Sequence, residues 1–323
     1  MTVDESIYRQ LQFEIDTRTT SAFPPTNSGI ELKVLEHLFT PFEAKIACHL
    51  SALPEKTRRI HKRVTKNGID ISIEDLEKLL DNMVRKGSIL YEQMLFDNPK
   101  HKMYSLVQFV VGFYELQADK MTKEFFIDAE KYLHEHVLPK FEETKEYRQM
   151  RTVPVNKSIS VDRYVTQYDN IRKLVEQEKG TIAIMNCLCR DGKELAGEPC
   201  KLSDERRVCI TLGYSAKGSL ELFPSAEEIS KEEVLKLLDE YEKIGFVLQP
   251  ENCNDPKFIC CCCGCCCGAL SYYNKTESPA DHWISNYYAE INPDLCNGCG
   301  ICEKICQLYA ITIENEKASI DLN

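Results

Sequence analysis

The sequence lacks much of what would place it in a membrane or on a nucleic acid. No segment approaches the roughly eighteen uninterrupted apolar residues that a membrane span requires. The opening Met1-Thr2-Val3-Asp4-Glu5 is acidic and leads into no apolar run, so a secretory signal is not expected and a cytoplasmic setting is. Excess positive charge is also missing: 40 Lys and Arg stand against 51 Asp and Glu, a formal net charge of −11. That balance disfavours general affinity for nucleic acid, which depends on phosphate neutralisation by Lys and Arg. No glycine-rich phosphate loop is present, which removes nucleotide and flavin sites, and no grouping suggests acid–base or nucleophilic catalysis. Cysteine is scarce in the first half, where only Cys48 precedes residue 187.

The other sixteen of the 17 cysteines lie in the second half. In a reducing interior such a density points to metal ligands rather than disulfides, and an oxygen-poor cell suits them best. A length of 323 residues with 43% hydrophobic content allows two or three domains with real cores.

Four cysteines fall within eleven residues as Cys296, Cys299, Cys302 and Cys306. The spacing C-x₂-C-x₂-C-x₃-C is that of a bacterial-type [4Fe–4S] ferredoxin loop, in which tight turns aim thiolates at one cube. Gly298 and Gly300 relieve crowding so that backbone N–H groups approach the cluster sulfurs. A zinc knuckle would separate two C-x₂-C pairs by a longer gap.

A second group is Cys187, Cys189, Cys200 and Cys209. In extended chain Cys187 and Cys189 share a face, the loop through Gly192, Gly197 and Pro199 folds back, and Cys209 is expected on a short helix from Asp204 to Leu212. A second cluster, a zinc ion and a set of buried thiols all fit that pattern. Arg190 is a candidate partner for cluster sulfur or thiolate charge. The third group is the run Cys260, Cys261, Cys262, Cys263, Cys265, Cys266 and Cys267, seven cysteines in eight positions. Neighbouring side chains diverge, so one cube cannot take all seven. Two clusters side by side, a larger cluster, or a zinc or copper store remain open.

Ahead of these, helices are expected from Ser28, from the capping box Thr40-Pro41-Phe42-Glu43 with Phe42, Ile46, Leu50 and Leu53 along one face, from Glu55 to Lys66, and from Ser72 to Gly87. Strands at 88–95 and 102–108 would follow across the turn at 96–100, and residues 1–27 read as irregular. This is the order of a winged helix. Its recognition helix would carry Glu74, Asp75, Glu77 and Asp81, a face that phosphates repel, while Lys56, Arg58, Arg59, Lys62, Arg63 and Lys66 gather one helix earlier. Docking to a protein is therefore favoured over DNA. Residues 109–144 read as helical, residues 151–163 as an extended boundary, and Thr181 to Met185 as a strand feeding Cys187. A helix capped by Ser230 ends at Gly245, and Phe246-Val247-Leu248 is expected to pair with the strand before Cys187.

The chain resembles an uncharacterised family of [4Fe–4S] ferredoxin-type iron–sulfur proteins of anaerobes. The likeness rests on an N-C-x-C-R segment at 186–190, an I-C-x-C-C-G-C-C-C-G segment at 259–268, and the ferredoxin module. It implies a winged-helix-like N-terminal region. Cys261 occupies a position where the family tends to have a non-ligand, and Gln307 stands where a proline usually follows the fourth ferredoxin cysteine. A second ferredoxin motif is not found, so Cys306 either closes its own cluster, reaches another, or leaves an iron open.

The expected fold class is α+β: a winged-helix-like domain at 28–108, a helical connector at 109–150, a mixed cysteine-rich iron–sulfur domain at 151–285 and a ferredoxin-type module at 286–323. The expected function is multi-cluster electron transfer, as donor or accessory to an anaerobic redox system, with a redox protein as partner. Up to three [4Fe–4S] clusters would be held by Cys296 to Cys306, by Cys187 to Cys209, and by Cys260, Cys262, Cys263, Cys265, Cys266 and Cys267. A redox-sensing transcription regulator, or a reductase with an open-iron or larger cluster, would use the same residues.

Overall fold

A computed structural model describes residues 3–20, 23–91, 102–144, 149–154 and 170–321. The expected turn at 96–100 and most of the boundary at 151–163 lie outside those residues. The chain divides into two compact units, Met1–Thr144 with Glu221–Pro224, and Lys145–Leu220 with Ser225–Asn323. The fold is mixed helix and sheet, and each unit is built separately.

In the first unit, α1 (Val3–Arg18), α2 (Ile30–Leu38) and α3 (Pro41–Ala47) precede β1 (Glu55–Lys56). Next come α4 (Thr57–Lys66), α5 (Ile73–Lys86), β2 (Leu90–Tyr91), β3 (Met103–Ser105), α6 (Lys123–Tyr132) and α7 (Leu138–Thr144). Helix α1 replaces the irregular start expected from its polar sequence; Leu11 and Ile15, four apart, are fully buried on one face. The capping box at Thr40 forms, with Thr40 N donating to Glu43 Oε2 at 2.8 Å and Glu43 N donating to Thr40 Oγ1 at 3.3 Å. Its helix is shorter than expected. It stops at Ala47, and Phe42 and Leu53 are exposed rather than buried.

Helix α5 behaves as its pattern dictates. Ser72 caps it, Leu76, Leu80, Met83 and Val84 are buried, and Gly87 ends it at φ 75°. Residues 109–113 are not regular helix, because Val110, Val111 and Gly112 take extended backbone angles. Two of the six residues of the expected basic patch serve the fold: Glu55, buried, binds both Arg59 and Arg63, and Arg63 Nε donates to His49 O at 2.6 Å.

The second unit opens with α8 (Ile171–Gln177), β4 (Ile182–Met185), α9 (Leu188–Ala196), β5 (Cys209–Leu212) and α10 (Tyr214–Leu222). It continues with β6 (Glu227–Glu228), α11 (Lys231–Ile244), β7 (Val247–Pro250), β8 (Phe258–Cys262) and α12 (Gly268–Tyr273). It ends with α13 (Ile301–Ile305) and the hairpin β9 (Ile311–Glu314) and β10 (Lys317–Ile320). Asn315 and Glu316 both have positive φ, as a two-residue hairpin turn of the favoured twist requires.

Five strands form an antiparallel sheet in the order β6-β4-β5-β8-β7. This corrects two expectations. Residues 209–212 are strand rather than helix, and β7 pairs with β8 instead of β4, because β5 and β8 lie between them.

One face of the sheet presents Ile182, Ile184, Ile210, Leu212, Leu248 and Ile259 to a core with Val234, Leu238 and Tyr241 of α11 and Ile171 and Val175 of α8. Strand alternation therefore turns Cys209, Cys260 and Cys262 to the opposite face. The same alternation places Cys261 in the apolar core, where burial raises its thiol pKa.

Candidate metal centre

Fourteen of the sixteen cysteines of the second unit fall into three places; Cys261 lies in the apolar core, and Cys253, ahead of β8, stands apart from all three. The first is the face of the sheet away from the apolar core. Cys209 on β5 stands directly opposite Cys260 on β8, and Gln249 on β7 stands opposite Cys260 from the other side. Contacts between thiols run from Cys209 to Cys260, from Cys260 to Cys262 and from Cys262 to Cys267. Cys187 and Cys189 touch each other and border the same set through Cys260 and Cys267. The hydrogen bonds that Cys260 receives from Cys209 and Cys262 hold its pKa well below the usual thiol range despite burial. Cys187 caps α9 and Cys189 lies in its first turn; the bond between them holds the Cys187 pKa below the usual thiol range, while the same bond and then burial push Cys189 up.

Around these six thiols several buried polar atoms have no hydrogen-bond partner. They are Gln249 Nε2 and Oε1, Thr211 Oγ1, Trp283 Nε1 and Arg190 Nη2. Gln249 is fully buried, Thr211 lies two residues along β5 from Cys209, and Trp283 packs with Cys262, Cys267 and Leu270. Buried donors left unpaired cost free energy, so a group rich in acceptor atoms fits this face. Inorganic sulfide and thiolate are such acceptors.

The second place is the turn after β8, where Cys263, Cys265 and Cys266 meet Cys200 from the loop after α9. Cys200 is thereby separated from Cys187, Cys189 and Cys209, with which its sequence neighbourhood had grouped it. Hydrogen bonding with Cys263 and Cys266 lowers the Cys265 pKa far below the usual range, and Cys263 is pushed up to about 12 by its bond with Cys265.

Arg190 lies beside both places. Its side chain is 1% exposed, Nη1 donates to Ser203 O at 3.0 Å and Glu205 O at 2.8 Å, and the guanidinium stands 4.5 Å from the Phe246 ring centre. Burial works against its charge, but nearby Cys263, Cys200, Cys187 and Cys266 raise its pKa.

The third place is the ferredoxin loop. Cys296 Sγ accepts from Ala318 N at 3.3 Å and also from the Gly298 backbone, and these bonds lower its pKa. Gly298 and Gly300 sit at φ 69° and 75°, and a Cβ at Gly298 would collide with the Glu316 carbonyl. The loop therefore needs glycine for both backbone angle and close approach. Cys299 is exposed and Cys296, Cys302 and Cys306 are partly exposed, which leaves this site open to a partner.

Gln307 was singled out only as a missing proline, yet it joins the third place to the second. Its Oε1 accepts from Gly264 N at 3.0 Å, its Nε2 donates to Ile305 O at 3.0 Å, and its backbone O accepts from Asn274 Nδ2 at 2.8 Å. Proline, with no side-chain amide, would form neither of the first two bonds. The departure from the family pattern was a sequence signal; its meaning was not legible without the partner Gly264.

These features define an iron–sulfur protein. Residues 289–312, which include all four ferredoxin-loop cysteines, match the 4Fe-4S binding domain family. Neither a curated protein nor a solved structure matches the chain. The matched segment and the clustered cysteines support at least one [4Fe–4S] cluster and an electron-transfer role. Among the described residues no helix is long and apolar enough to cross a membrane.

Proposed function

We propose that the chain is a multi-cluster electron carrier, donor or accessory to an anaerobic redox system, with one [4Fe–4S] cluster at Cys296, Cys299, Cys302 and Cys306. A second cluster is assigned to the sheet face, with ligands drawn from Cys187, Cys189, Cys209, Cys260, Cys262 and Cys267. A bound cluster supplies one-electron oxidation and reduction without bond making at the protein.

The observation that carries this reading is the bond from Gly264 N to Gln307, because it fastens the residue after Cys306 to the middle of the cysteine run. Tyr309 is consistent with it: the side chain is largely exposed, yet partial burial of its hydroxyl and then Cys265, Cys263 and Cys306 raise its pKa. The protein's own contribution is to hold thiols, supply N–H donors and exclude water. Gln249, Trp283, Thr211 and Arg190 are the polar groups available to the sheet-face cluster, and the exposed loop at Cys299 is the point of exchange with a redox partner.

The first unit is read as a winged-helix-like docking module. Its order α3-β1-α4-α5-β2-β3 and the sheet order β1-β3-β2 support that description. Exposed Lys56, Arg58, Lys62 and Lys66 suit an acidic partner surface, while the acidic residues of α5 disfavour DNA.

The test is iron and acid-labile sulfide on anaerobically purified protein, with low-temperature EPR after reduction. About eight sulfides per chain and two interacting signals are expected. About four sulfides with a single signal would remove the sheet-face cluster, and zinc without sulfide would defeat the proposal.

A further inference from the structure

Cys200, Cys263, Cys265 and Cys266 differ from the other thiols in their spacing. Cys200 Sγ lies 3.7 Å from Cys263 Sγ and 3.7 Å from Cys265 Sγ, while Cys265 Sγ lies 3.6 Å from Cys263 Sγ and 3.7 Å from Cys266 Sγ. All four sulfurs are within 4.8 Å of one another. Among the described residues, no other set of three or more His, Cys, Asp or Glu side chains brings its ligand atoms together in this way. None is a disulfide, since all four cysteines are free and bonded sulfurs stand only ~2 Å apart.

These lengths discriminate between metal groups. With metal–sulfur bonds of ~2.3 Å, the sulfurs of a regular tetrahedral site are separated by ~3.8 Å. In a cubane each thiolate holds a different iron at a different corner, so the thiolate sulfurs spread well beyond that edge. The four thiols here are too close for four corners and well placed for one ion.

The surroundings fit the same conclusion. Leu202 N donates to Cys200 Sγ at 3.4 Å, and the Lys201 backbone donates to Cys265. Backbone N–H donors of this kind orient and stabilise metal thiolates. Four thiolates and a dication leave a net charge of −2, and the buried Arg190 beside Cys200, Cys263 and Cys266 offsets part of it. Residues 197–208 contain no helix or strand, so Cys200 is the point at which an ion would tie this loop to the turn after β8.

We propose that Cys200, Cys263, Cys265 and Cys266 hold a single tetrahedrally coordinated thiophilic ion, zinc or iron, separate from any iron–sulfur cluster in the chain. The site closes the cysteine run around the buried Arg190. It has no vacant position, so it binds no substrate and its role is to fix the loop at 197–208.

Total zinc plus iron is measured against acid-labile sulfide in the full chain, because a single ion brings no sulfide while a cubane brings one per iron. An excess of about one metal per chain is expected in the unmodified protein. Cys200→Ser, on an irregular loop, removes that excess and leaves the sulfide count and cluster spectra unchanged. Cobalt(II), supplied in place of zinc, gives tetrahedral ligand-field absorption that Cys200→Ser and Cys265→Ser both abolish. Zinc or iron in the excess each supports the proposal. Metal equal to sulfide, a parallel loss of about four irons and four sulfides in Cys200→Ser, or no tetrahedral cobalt spectrum overturns it. The first readout uses no substitution, so misfolding of a variant does not blunt the test, and it is independent of how many clusters the chain holds.

Discussion

Replacing Gln307 by leucine tests whether the ferredoxin loop is fastened to the cysteine run. The substitution keeps the side chain's bulk and removes its acceptor for Gly264 N and its donor to Ile305 O, each 3.0 Å away in the native protein. Gly264 is buried, so its N–H is left without water or protein, at a cost of about 1–3 kcal/mol. Ile305 is only half-buried and its carbonyl regains water, so the second bond adds about 0.5 kcal/mol. The sum, about 1.5–3.5 kcal/mol, is a shift of roughly ten- to three-hundredfold in the unfolding equilibrium of the module. Urea unfolding of the anaerobic holoprotein, followed by loss of visible cluster absorbance, reads this as a lower midpoint. Gln307→Glu keeps an acceptor for Gly264 and should fall between the two. A Gln307→Leu protein within about 0.5 kcal/mol of the native one would refute the fastening.

Three further substitutions probe other parts of the chain. Glu43 is buried and accepts from Thr40 N at 2.8 Å and Lys86 Nζ at 2.5 Å; burial raises its pKa, but these partners outweigh it and hold the carboxyl below its ordinary 4.5. A carboxylate with a depressed folded pKa stabilises above its unfolded value and loses that stability as pH falls through the folded one. Glu43→Gln should therefore cost about 2 kcal/mol at neutral pH, with the gap to native closing below pH 4.5 when first-unit unfolding is followed by circular dichroism; a gap that stays constant into acid contradicts the assignment. Gly298→Ala should prevent stable loading of the ferredoxin loop, since alanine adds about 1 kcal/mol of left-handed strain and a collision with the Glu316 carbonyl. Gly197→Ala, at φ 89° with open space around its Cβ, should cost the strain alone, and equal cluster loss in the two variants would show that the collision is immaterial.

Local patterns were legible where the physics is local. The Thr40 and Ser230 caps and the stop at Gly87 depend on contacts within a few residues, and they form as the sequence predicts. Helix α1 is not legible in the sequence because its polar composition gives little periodic signal, and its core residues Tyr8, Leu11 and Ile15 acquire meaning only when buried. The sequence Cys209-Ile210-Thr211-Leu212 is too short for periodicity to tell helix from strand; pairing with β4 and β8 makes it strand β5. Phe258 to Cys262 is apolar throughout and carries no alternation in its sequence; only the strand's register in the sheet, which turns Ile259 and Cys261 to the core, separates Cys261 from Cys260 and Cys262.

By itself the sequence determined the ferredoxin loop, because four thiols at C-x₂-C-x₂-C-x₃-C with two glycines can converge through turns of their own segment. It also determined that twelve of the remaining thirteen cysteines crowd into one half of the chain. Which of them meet was decided only by the tertiary structure. Cys200 joins Cys263, Cys265 and Cys266 across more than sixty residues of chain, and Cys209 meets Cys260 by strand register. Contacts of that separation are set by sheet order and by which face a strand turns to the core, and neither is encoded in the spacing of the ligands.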